Sequence, residues 1–549
     1  MTTSSAAELL ARRSLVALCP WAPSGDLLDA PAGVALAALD GQAQLVLDDA
    51  GRALLAAWTK RADRVFLFDE ARPALRRLLR AGVDVARPAC RATLEQLADV
   101  GVGHGEAPQI FHQPLFHEPI GALERAHKIV HKLEGLLAKV DERGQKKVAR
   151  LECLVLRAFA ALEDRGLPVD VDAWKKLIDE EQQKARVAKE ELLALAGPHV
   201  QRDLFGVPEL NLDAEAEVKQ LLERVTGRRL DDVTRSTLGA LDHPIARALL
   251  LWRESNKLVS TYGDAFLSHV DRRTGRIHAT FVPLGASTGR VASRDPNLQN
   301  LPSDARFHRC LKAPPGRALV TADYATCELR IVAELSKDPV FLRAFEEGQD
   351  LHSTVAATMF KAEVSKTKNP ELRQRAKAIN FGLVYGMGAA ALAAQLGVPV
   401  DEGERLLQQY FRTFPRVRDA LERSVETALA KGYAETVLGR RLFFDPETLK
   451  GPNARGELGR VAKNMPIQGT SADMTKLAMV RVHERLLDET KGAAGLVNTI
   501  HDELVVECDE VDGERVAKAV KKEMEEAHRA LLQTVPPEVE VNVGPHWMH

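Results

Sequence analysis

Cysteine is scarce in this chain of 549 residues, and its distribution argues against a disulfide framework and against a zinc cluster. The six cysteines are scattered without a close pair, at Cys19, Cys90, Cys153, Cys310, Cys327 and Cys508. Disulfide frameworks and zinc sites need cysteines at short, regular spacings. The pattern indicates a reducing compartment, and we predict a cytoplasmic location.

Long apolar runs are also missing from the sequence. No stretch approaches the roughly 18 residues that a helix needs to cross a bilayer. The pair Arg12-Arg13 lacks the apolar stretch that follows it in an export signal. We therefore predict no membrane association, and the length of the chain predicts several domains.

The formal net charge of −2 gives no global sign of a polyanionic partner. Basic residues are nevertheless locally in excess, with six Arg or Lys against two Asp in 285–317 and seven against four acids in 431–470. Binding of nucleic acid depends on such local surface more than on the total charge. A solvated face is the alternative explanation for each excess.

The apolar pattern changes along the chain. Residues 1–150 mix short apolar strands with helical periods, which predicts a small α/β unit. In residues 151–275 the period is helical, with one helix ending at Gly166 and another near Tyr262. After residue 276 short strands alternate with helices, which is typical of an α+β fold.

Acidic residues follow or precede two predicted strands. Asp323 follows the apolar strand 318–322, and Asp502 and Glu503 lie in 497–506, which predicts two strands joined by a tight turn. Such carboxylates could share two Mg²⁺ ions about 3.5–4 Å apart that stabilise an in-line phosphoryl transfer. A single Asp at a strand end is more often a turn residue, so this hypothesis depends on the other motifs.

A predicted helix begins at Asn369-Pro370-Glu371 and ends near Gly386. Four of its residues are spaced by four and line one face over about 18 Å. They are Arg373, Lys377, Phe381 and Tyr385. The two cations could hold a triphosphate, and the two aromatic rings could hold the base and sugar. An amphipathic helix with an aromatic core stripe is the alternative.

Two further segments carry amides and arginines typical of nucleic-acid contacts. The first is Thr288–Pro302, and the second contains Arg460, Asn464, Gln468 and Asp473 in a run that Pro466 and Gly469 are expected to break. Amides can reach the acceptors that all base pairs share in the minor groove. Loop capping is the alternative for either segment.

Taken together and in this order, these segments resemble the family-A DNA polymerases of the bacterial DNA polymerase I type. The matching pieces are Thr288–Pro302, DYATCELR at 323–330, RQRAKAINFGLVYG at 373–386, RVAKNMPIQGTSAD at 460–473 and IHDE at 500–503. The similarity covers about residues 150–549.

The resemblance implies an α+β right-hand architecture with an N-terminal α/β exonuclease-like domain. The implied ranges are a degenerate 3′–5′ exonuclease-like domain at 1–150, a thumb with connecting helices at 151–275, fingers at 338–439, and a palm in two parts at 276–337 and 440–549. It further implies primer-template DNA and dNTPs as partners and two Mg²⁺ ions as cofactors, with Mn²⁺ as a substitute. We expect a monomer.

The resemblance also assigns roles to matching residues. The metals would be bound by Asp323, Asp502 and the carbonyl of Tyr324, with Glu503 nearby. The incoming triphosphate would be held by Arg373, Lys377 and His352. Lys377 would also protonate the pyrophosphate. Phe381 packs on the sugar, Tyr385 alternates with the template base, and Glu328 guards the 2′ position. Primer and template contacts fall to Arg290, Gln299, Asn300, Asn464, Gln468, His501 and the thumb residue Lys257.

The sequence departs from the family pattern in two places. Ala325-Thr326-Cys327 stands where the family commonly has Ser-Gln-Ile, which puts fidelity in question. No Asp-x-Glu pair occurs in the first 160 residues, although Phe68-Asp69-Glu70 is faintly similar to one exonuclease segment. We therefore predict that the chain does not proofread, and we find no counterpart of a 5′ nuclease domain.

Two rival functions follow from the same motifs. A single-subunit RNA polymerase shares a similar lysine-tyrosine helix, but Glu328 and Phe381 argue against it. A catalytically dead DNA-binding factor would be expected to lack a metal carboxylate, whereas Asp323 and Asp502 are both present. A DNA-directed DNA polymerase is the prediction that accounts for most residues.

Overall fold

The computed structural model describes residues 3–22, 30–99, 119–202, 205, 208–384, 386–451 and 454–548. Its N-terminal part contains a five-stranded sheet in the order β3-β2-β1-β4-β5. The strands are β1 (Leu15–Trp21), β2 (Gly33–Ala38), β3 (Gly41–Val46), β4 (Val65–Phe68) and β5 (Pro88–Cys90). The helices are α1 (Thr3–Arg12), α2 (Asp49–Thr59), α3 (Ala71–Arg80), α4 (Arg91–Asp99) and α5 (Pro119–Glu142).

This sheet is mixed: β1 pairs antiparallel with β2 and parallel with β4. Every residue of β2 is buried, as expected of a central strand covered by helices on both faces. The part is therefore the α/β unit that the sequence predicts.

A mainly helical part follows. It contains α6 (Lys146–Arg165), β6 (Leu167–Pro168), α7 (Val171–Ala196), a 3₁₀ turn (Gly197–His199), β7 (Gln201–Arg202), β8 (Pro208–Glu209), α8 (Glu215–Thr226), α9 (Arg235–Ala240), α10 (Pro244–Tyr262) and α11 (Asp264–Leu267). Gly166 ends α6 with a φ of 72°, and its N–H donates to the Leu162 carbonyl. Both predicted helix ends, at Gly166 and Tyr262, are confirmed.

Short strands and a helix lead into the central sheet. They are β9 (Val270–Asp271), β10 (Arg276–Ile277), β11 (Thr280–Val282), β12 (Ala292–Arg294), α12 (Ala305–Cys310) and β13 (Arg317–Tyr324). The helices that follow are α13 (Cys327–Ser336), α14 (Pro339–Glu346), α15 (Leu351–Phe360), α16 (Pro370–Val384), α17 (Ala389–Leu396), α18 (Val400–Thr413) and α19 (Pro415–Lys431).

The last part completes that sheet. It contains β14 (Tyr433–Glu435), β15 (Arg441–Phe443), α20 (Pro446–Lys450), α21 (Ala454–Asn464), a π-helical turn (Met465–Gly469), α22 (Thr470–Thr490), β16 (Gly495–Ile500), β17 (Glu503–Asp509), a 3₁₀ turn (Glu510–Asp512), α23 (Gly513–Leu531) and β18 (Val539–Gly544). The sheet is antiparallel in the order β16-β17-β13-β18. It packs against α22 and α23 in the largest hydrophobic core.

The expected break in 460–473 is wrong. The segment is helical throughout, because a π turn over Met465–Gly469 joins α21 to α22. A π turn is wider than an α turn, so it accommodates Pro466, which has no N–H to donate. The polar side chains of this segment therefore lie on a rigid helix.

We looked for membrane-spanning helices over the described ranges. None of the helices there is both long enough and apolar enough to cross a bilayer.

Candidate active site

The two predicted metal carboxylates lie side by side at one end of the central sheet. In the β13–β17 pair Asp323 is opposite Glu503, and the two-residue turn His501-Asp502 joins β16 to β17. His501 takes a φ of 51°, which allows this tight turn. The strand register therefore brings Asp502 next to Asp323, across 178 intervening residues of chain.

The electrostatics of this pair suit a cation. Burial, followed by the negative charge of Asp323, raises the pKa of Asp502. Across the described ranges no group of three or more His, Cys, Asp or Glu side chains gathers around a common point. A cation bound there would need carbonyl and water oxygens beside the two carboxylates, and Mg²⁺ accepts such a mixed oxygen set.

The neighbours of the pair are held in place by buried hydrogen bonds. The Tyr324 hydroxyl donates to the Met524 carbonyl at 2.7 Å, which anchors the end of β13. The Trp547 indole Nε1 donates to Glu503 Oε1 at 2.6 Å, and Glu503 is 4% exposed. The Trp547 indole thus holds the Glu503 carboxylate in place.

The predicted cationic stripe lies on α16, where Lys377 Nζ is 5.9 Å from the centroid of the Phe381 ring. Arg373 donates to Asp350 through Nε at 2.7 Å and Nη2 at 3.0 Å. Although burial opposes it, hydrogen bonds from Arg373 and Ser353 lower the pKa of Asp350 below its usual range. Asp350 therefore stays charged as the partner of Arg373. Tyr385 lies outside the described residues.

His352 lies beside this stripe as a buried neutral ring. Its centroid is 5.8 Å from that of Phe381, and its Nδ1 is 3.0 Å from Asn380 Nδ2. Burial, which Asp350 opposes and Arg373 and Lys377 reinforce, lowers the pKa of His352 to about 4. At neutral pH His352 can therefore offer a hydrogen bond but no charge.

Glu328 lies in the first turn of α13 and forms an ion pair with Arg290. Burial raises the pKa of Glu328, and Arg290 lowers it. Arg290 also acts on the charge of Asp502, so the predicted sugar gate, the predicted primer contact and a metal carboxylate share one electrostatic environment. The partner that the structure provides for Glu328 is Arg290.

The segment that departs from the family pattern is well packed. The Cys327 thiol is buried and lies 3.3 Å from the Ser471 hydroxyl on α22. The Thr326 hydroxyl donates to the Ala325 carbonyl at 2.8 Å, at a residue with a φ of 52°. Neither of these side chains carries an amide group.

Close backbone contacts bring the two predicted nucleic-acid segments together. A Cβ at Gly469 would lie 3.1 Å from the Thr288 carbonyl, and one at Gly289 would lie 2.6 Å from Arg440 Nε. Gly289 also takes a φ of 86°, a conformation that favours glycine. Asp473, the last residue of the second segment, is fully buried and accepts from Arg440 Nη2 at 2.6 Å, so it does not lie on the protein surface.

The remaining predicted DNA contacts lie in the two nucleic-acid segments, in the turn before β17 and on α10. The Asn300 carbonyl accepts from the Tyr262 hydroxyl, and the Gln299 N–H donates to Asn297 Oδ1 at 2.9 Å. Gln468 is 9% exposed in the π turn, and Asn464 ends α21. Burial, followed by Arg290, lowers the pKa of His501. Lys257 lies exposed on α10.

At the N-terminal sheet, Asp69 of the segment Phe68-Asp69-Glu70 is paired with arginines. Asp69 follows β4 and binds two guanidinium groups, those of Arg91 and Arg125, the latter through Nε at 2.6 Å. Both oxygens of the carboxylate are thus already paired with cations. The neighbours of Asp69 are thus cationic, whereas Asp502 has the anionic neighbour Asp323.

Three residues of the site were missed by the sequence analysis: Asp350, Asn380 and Tyr410. Asp350 has a signal in the sequence, because Asp before Leu351-His352 is typical of a helix N-cap and it does cap α15. Asn380 stands three residues after Lys377 on the same helix. Tyr410 lies on α18 and carries no local signal.

Comparison with known proteins places this site in context. A sequence profile described as DNA polymerase family A matches residues 173–549. The thermostable DNA polymerase I of Thermus thermophilus is 36% identical over 438 residues, covering 77% of this chain and 50% of the relative. DNA polymerase I of Deinococcus radiodurans is 34% identical over 441 residues, covering 78% of this chain and 45% of the relative.

A solved structure extends the similarity to the whole chain. It is the POL domain of Pol1 from M. smegmatis in complex with DNA primer-template and dNTP, with a TM-score of 0.83 and 28% identity. The match covers 100% of this chain and 98% of that one, so the α+β fold is shared throughout. The chain spans about half the length of the DNA polymerase I relatives.

Proposed function

Since the chain belongs to DNA polymerase family A, we propose that it is a DNA-directed DNA polymerase that adds dNTPs to a primer 3′ end. The observation that carries the proposal is the strand register that sets Asp502 beside Asp323. The similar M. smegmatis domain was solved with a primer-template and a dNTP, and the same ligand classes are proposed for this chain.

Asp323 and Asp502, with the Tyr324 carbonyl, would hold two Mg²⁺ ions, or Mn²⁺ as a substitute. The bound ions would neutralise charge on the attacking 3′ oxygen and on the departing pyrophosphate. The raised pKa of Asp502 supports this assignment, because two neighbouring carboxylates are relieved by a cation. Glu503 would orient this end of the sheet through its bond with Trp547.

The incoming nucleotide would bind along α16. Arg373 would exchange its partner Asp350 for a phosphate, Lys377 would meet the triphosphate as a point charge and protonate the leaving group, and His352 would donate a hydrogen bond. Phe381 would pack on the sugar, and Tyr385 would alternate with the template base. Glu328 would exclude a 2′-hydroxyl.

Primer and template would lie along the polar residues on the other side of the metal carboxylates. The proposed contacts are Arg290, Gln299, Asn300, Asn464, Gln468 and His501, with Lys257 on the thumb. The close approach of Gly469 to Thr288 supports a single binding surface made of both segments. The proposed ranges are thumb 151–275, fingers 338–439 and palm 276–337 with 440–549, and the chain would act as a monomer.

We also propose that residues 1–150 form an exonuclease-like domain without proofreading activity. A two-metal exonuclease needs several carboxylates around a common point. Asp69 is instead paired with Arg91 and Arg125, and no Asp-x-Glu pair occurs in the first 160 residues.

A primer-extension assay tests the proposed activity. A labelled hairpin is incubated with the purified chain and Mg²⁺, first with dNTPs and then with NTPs. Extension that requires Mg²⁺ and strongly prefers dNTPs is the expected result. Equal use of both sugars would favour an RNA polymerase, and no extension with either would leave a DNA-binding factor.

A further inference from the structure

A chain of buried hydrogen bonds runs from α18 through α16 to the His352 ring on α15. The Tyr410 hydroxyl is 2.9 Å from Asn380 Oδ1, and Asn380 Nδ2 is 3.0 Å from His352 Nδ1. Tyr410 and Asn380 are both fully buried, and His352 is 5% exposed. Of these three residues, His352 has a proposed role in nucleotide binding, and Tyr410 and Asn380 have been given none so far.

The direction of the chain follows from counting donors and acceptors. A tyrosine hydroxyl has one proton to donate, and an amide has a carbonyl that accepts and an NH₂ that donates. Within the described part of the molecule the Tyr410 hydroxyl meets no acceptor other than Asn380 Oδ1. The reverse orientation would leave the buried tyrosine proton without a partner, which is unfavourable.

The orientation of Asn380 in turn decides the tautomer of His352. With its Oδ1 turned to Tyr410, Asn380 presents N–H to the ring, so Nδ1 must accept. A neutral imidazole that accepts at Nδ1 carries its proton on Nε2. Within the described part of the molecule Nε2 makes no hydrogen bond, so its N–H remains available to a ligand.

We propose that Tyr410 and Asn380 are positioning residues that hold neutral His352 as its Nε2–H tautomer, ready to donate to a phosphate oxygen of the incoming nucleotide. The opposite tautomer would turn a lone pair toward an anion, which is repulsive. The phosphate part of this inference rests on the proposed polymerase function, and the tautomer part does not.

The first test is ¹⁵N NMR of the full-length chain with labelled histidine, in which His352→Gln assigns the His352 signals. We expect a protonated Nε2 and an unprotonated Nδ1 at neutral pH. A proton on Nδ1 in the wild-type chain would overturn the proposal. This measurement needs neither nucleotide nor activity, so its outcome is independent of whether the chain extends primers.

The second test separates positioning from packing. Tyr410→Phe removes one hydroxyl, and we expect the KM for dNTP to rise on the order of tenfold, as when a hydrogen bond to a charged group is weakened. The kcat should change less, because the contact is made in ground and transition states alike. Tyr433→Phe, a half-buried tyrosine on β14, is the matched control and should leave KM unchanged.

A double-mutant cycle completes the test. In a His352→Gln background no imidazole tautomer remains, so Tyr410→Phe should have no further effect on KM. An equal rise in both backgrounds would mean that Tyr410 acts through packing alone, which would overturn the proposal. If Tyr410→Phe does not fold, the NMR measurement on the wild-type chain still decides the tautomer.

Discussion

Asp69 in the N-terminal sheet and Asp502 in the central sheet occupy similar places next to a strand but have opposite surroundings. Asp69 follows β4 and lies between the guanidinium groups of Arg91 and Arg125. Asp502 precedes β17 beside Asp323, and its pKa is raised by burial and by that second carboxylate. The carboxylate beside a second carboxylate suits a metal, whereas the one between two arginines does not.

Two further carboxylates lie between these extremes. Glu328 pairs with Arg290, and Asp350 pairs with Arg373. The arginine side chains are 30% and 20% exposed, so an anionic ligand can reach them. Each of these carboxylates is paired with one arginine, whereas Asp69 is paired with two.

The largest expected effect comes from Asp502→Asn, which keeps the shape of the side chain and removes its charge. Primer extension should fall by about 10³-fold or more, since the site loses a metal ligand, while binding of primer-template persists. Asp69→Asn is the matched control and should extend primers normally. Near-normal extension by Asp502→Asn would contradict the metal assignment.

A smaller effect is expected when Glu328 is shortened. Glu328→Ala opens space near the sugar, so the ratio of kcat/KM for dCTP to that for CTP should fall by about 10- to 100-fold. Glu328→Gln keeps the bulk without the charge and should retain most of the selectivity. A ratio that does not change in Glu328→Ala would assign the choice of sugar to other residues.

Replacing each of the two aspartates by asparagine should change the stability of the fold in opposite directions. Asp69→Asn leaves two arginines without their partner and should lower the free energy of unfolding by about 2 kcal/mol. Asp502→Asn removes a carboxyl group whose ionisation the fold disfavours, and it should raise the melting temperature at pH 7. A loss of stability in both variants would contradict the comparison.

The gain in melting temperature from Asp502→Asn should increase with pH. Because the pKa of Asp502 is higher in the folded chain than in the unfolded one, its ionisation destabilises the fold as pH rises above the unfolded value of about 4. The difference in melting temperature between variant and wild type should therefore vanish below about pH 4, grow as the pH rises and level off above about pH 8. Thermal unfolding at a series of pH values measures it.

The smallest expected signal is the 3′–5′ exonuclease activity of the wild-type chain. A 3′-labelled single strand incubated with Mg²⁺ and without dNTPs should keep its full length, since Asp69 is occupied by arginines. Stepwise shortening that disappears in Asp69→Asn but persists in Asp502→Asn would show that the N-terminal part is active.

Local sequence determined the elements that carry the site. The helix over Pro370–Val384, the strands on either side of Asp502 and the helix end at Gly166 are all confirmed, because apolar periodicity, proline at a helix start and glycine at a helix end act between near neighbours. The motifs were also sufficient to indicate the family. Where the expectation of a local break failed, at Pro466, a π turn absorbed the proline.

Tertiary structure decided which charges meet. The register that sets Asp502 beside Asp323, the pairs Arg290–Glu328 and Arg373–Asp350, and the chain from Tyr410 to His352 join residues that are distant in sequence. The burial of Asp473 against Arg440 is of the same kind. Such contacts depend on strand pairing and helix packing, which bring together side chains whose local patterns are independent, so their electrostatics could be known only from the folded chain.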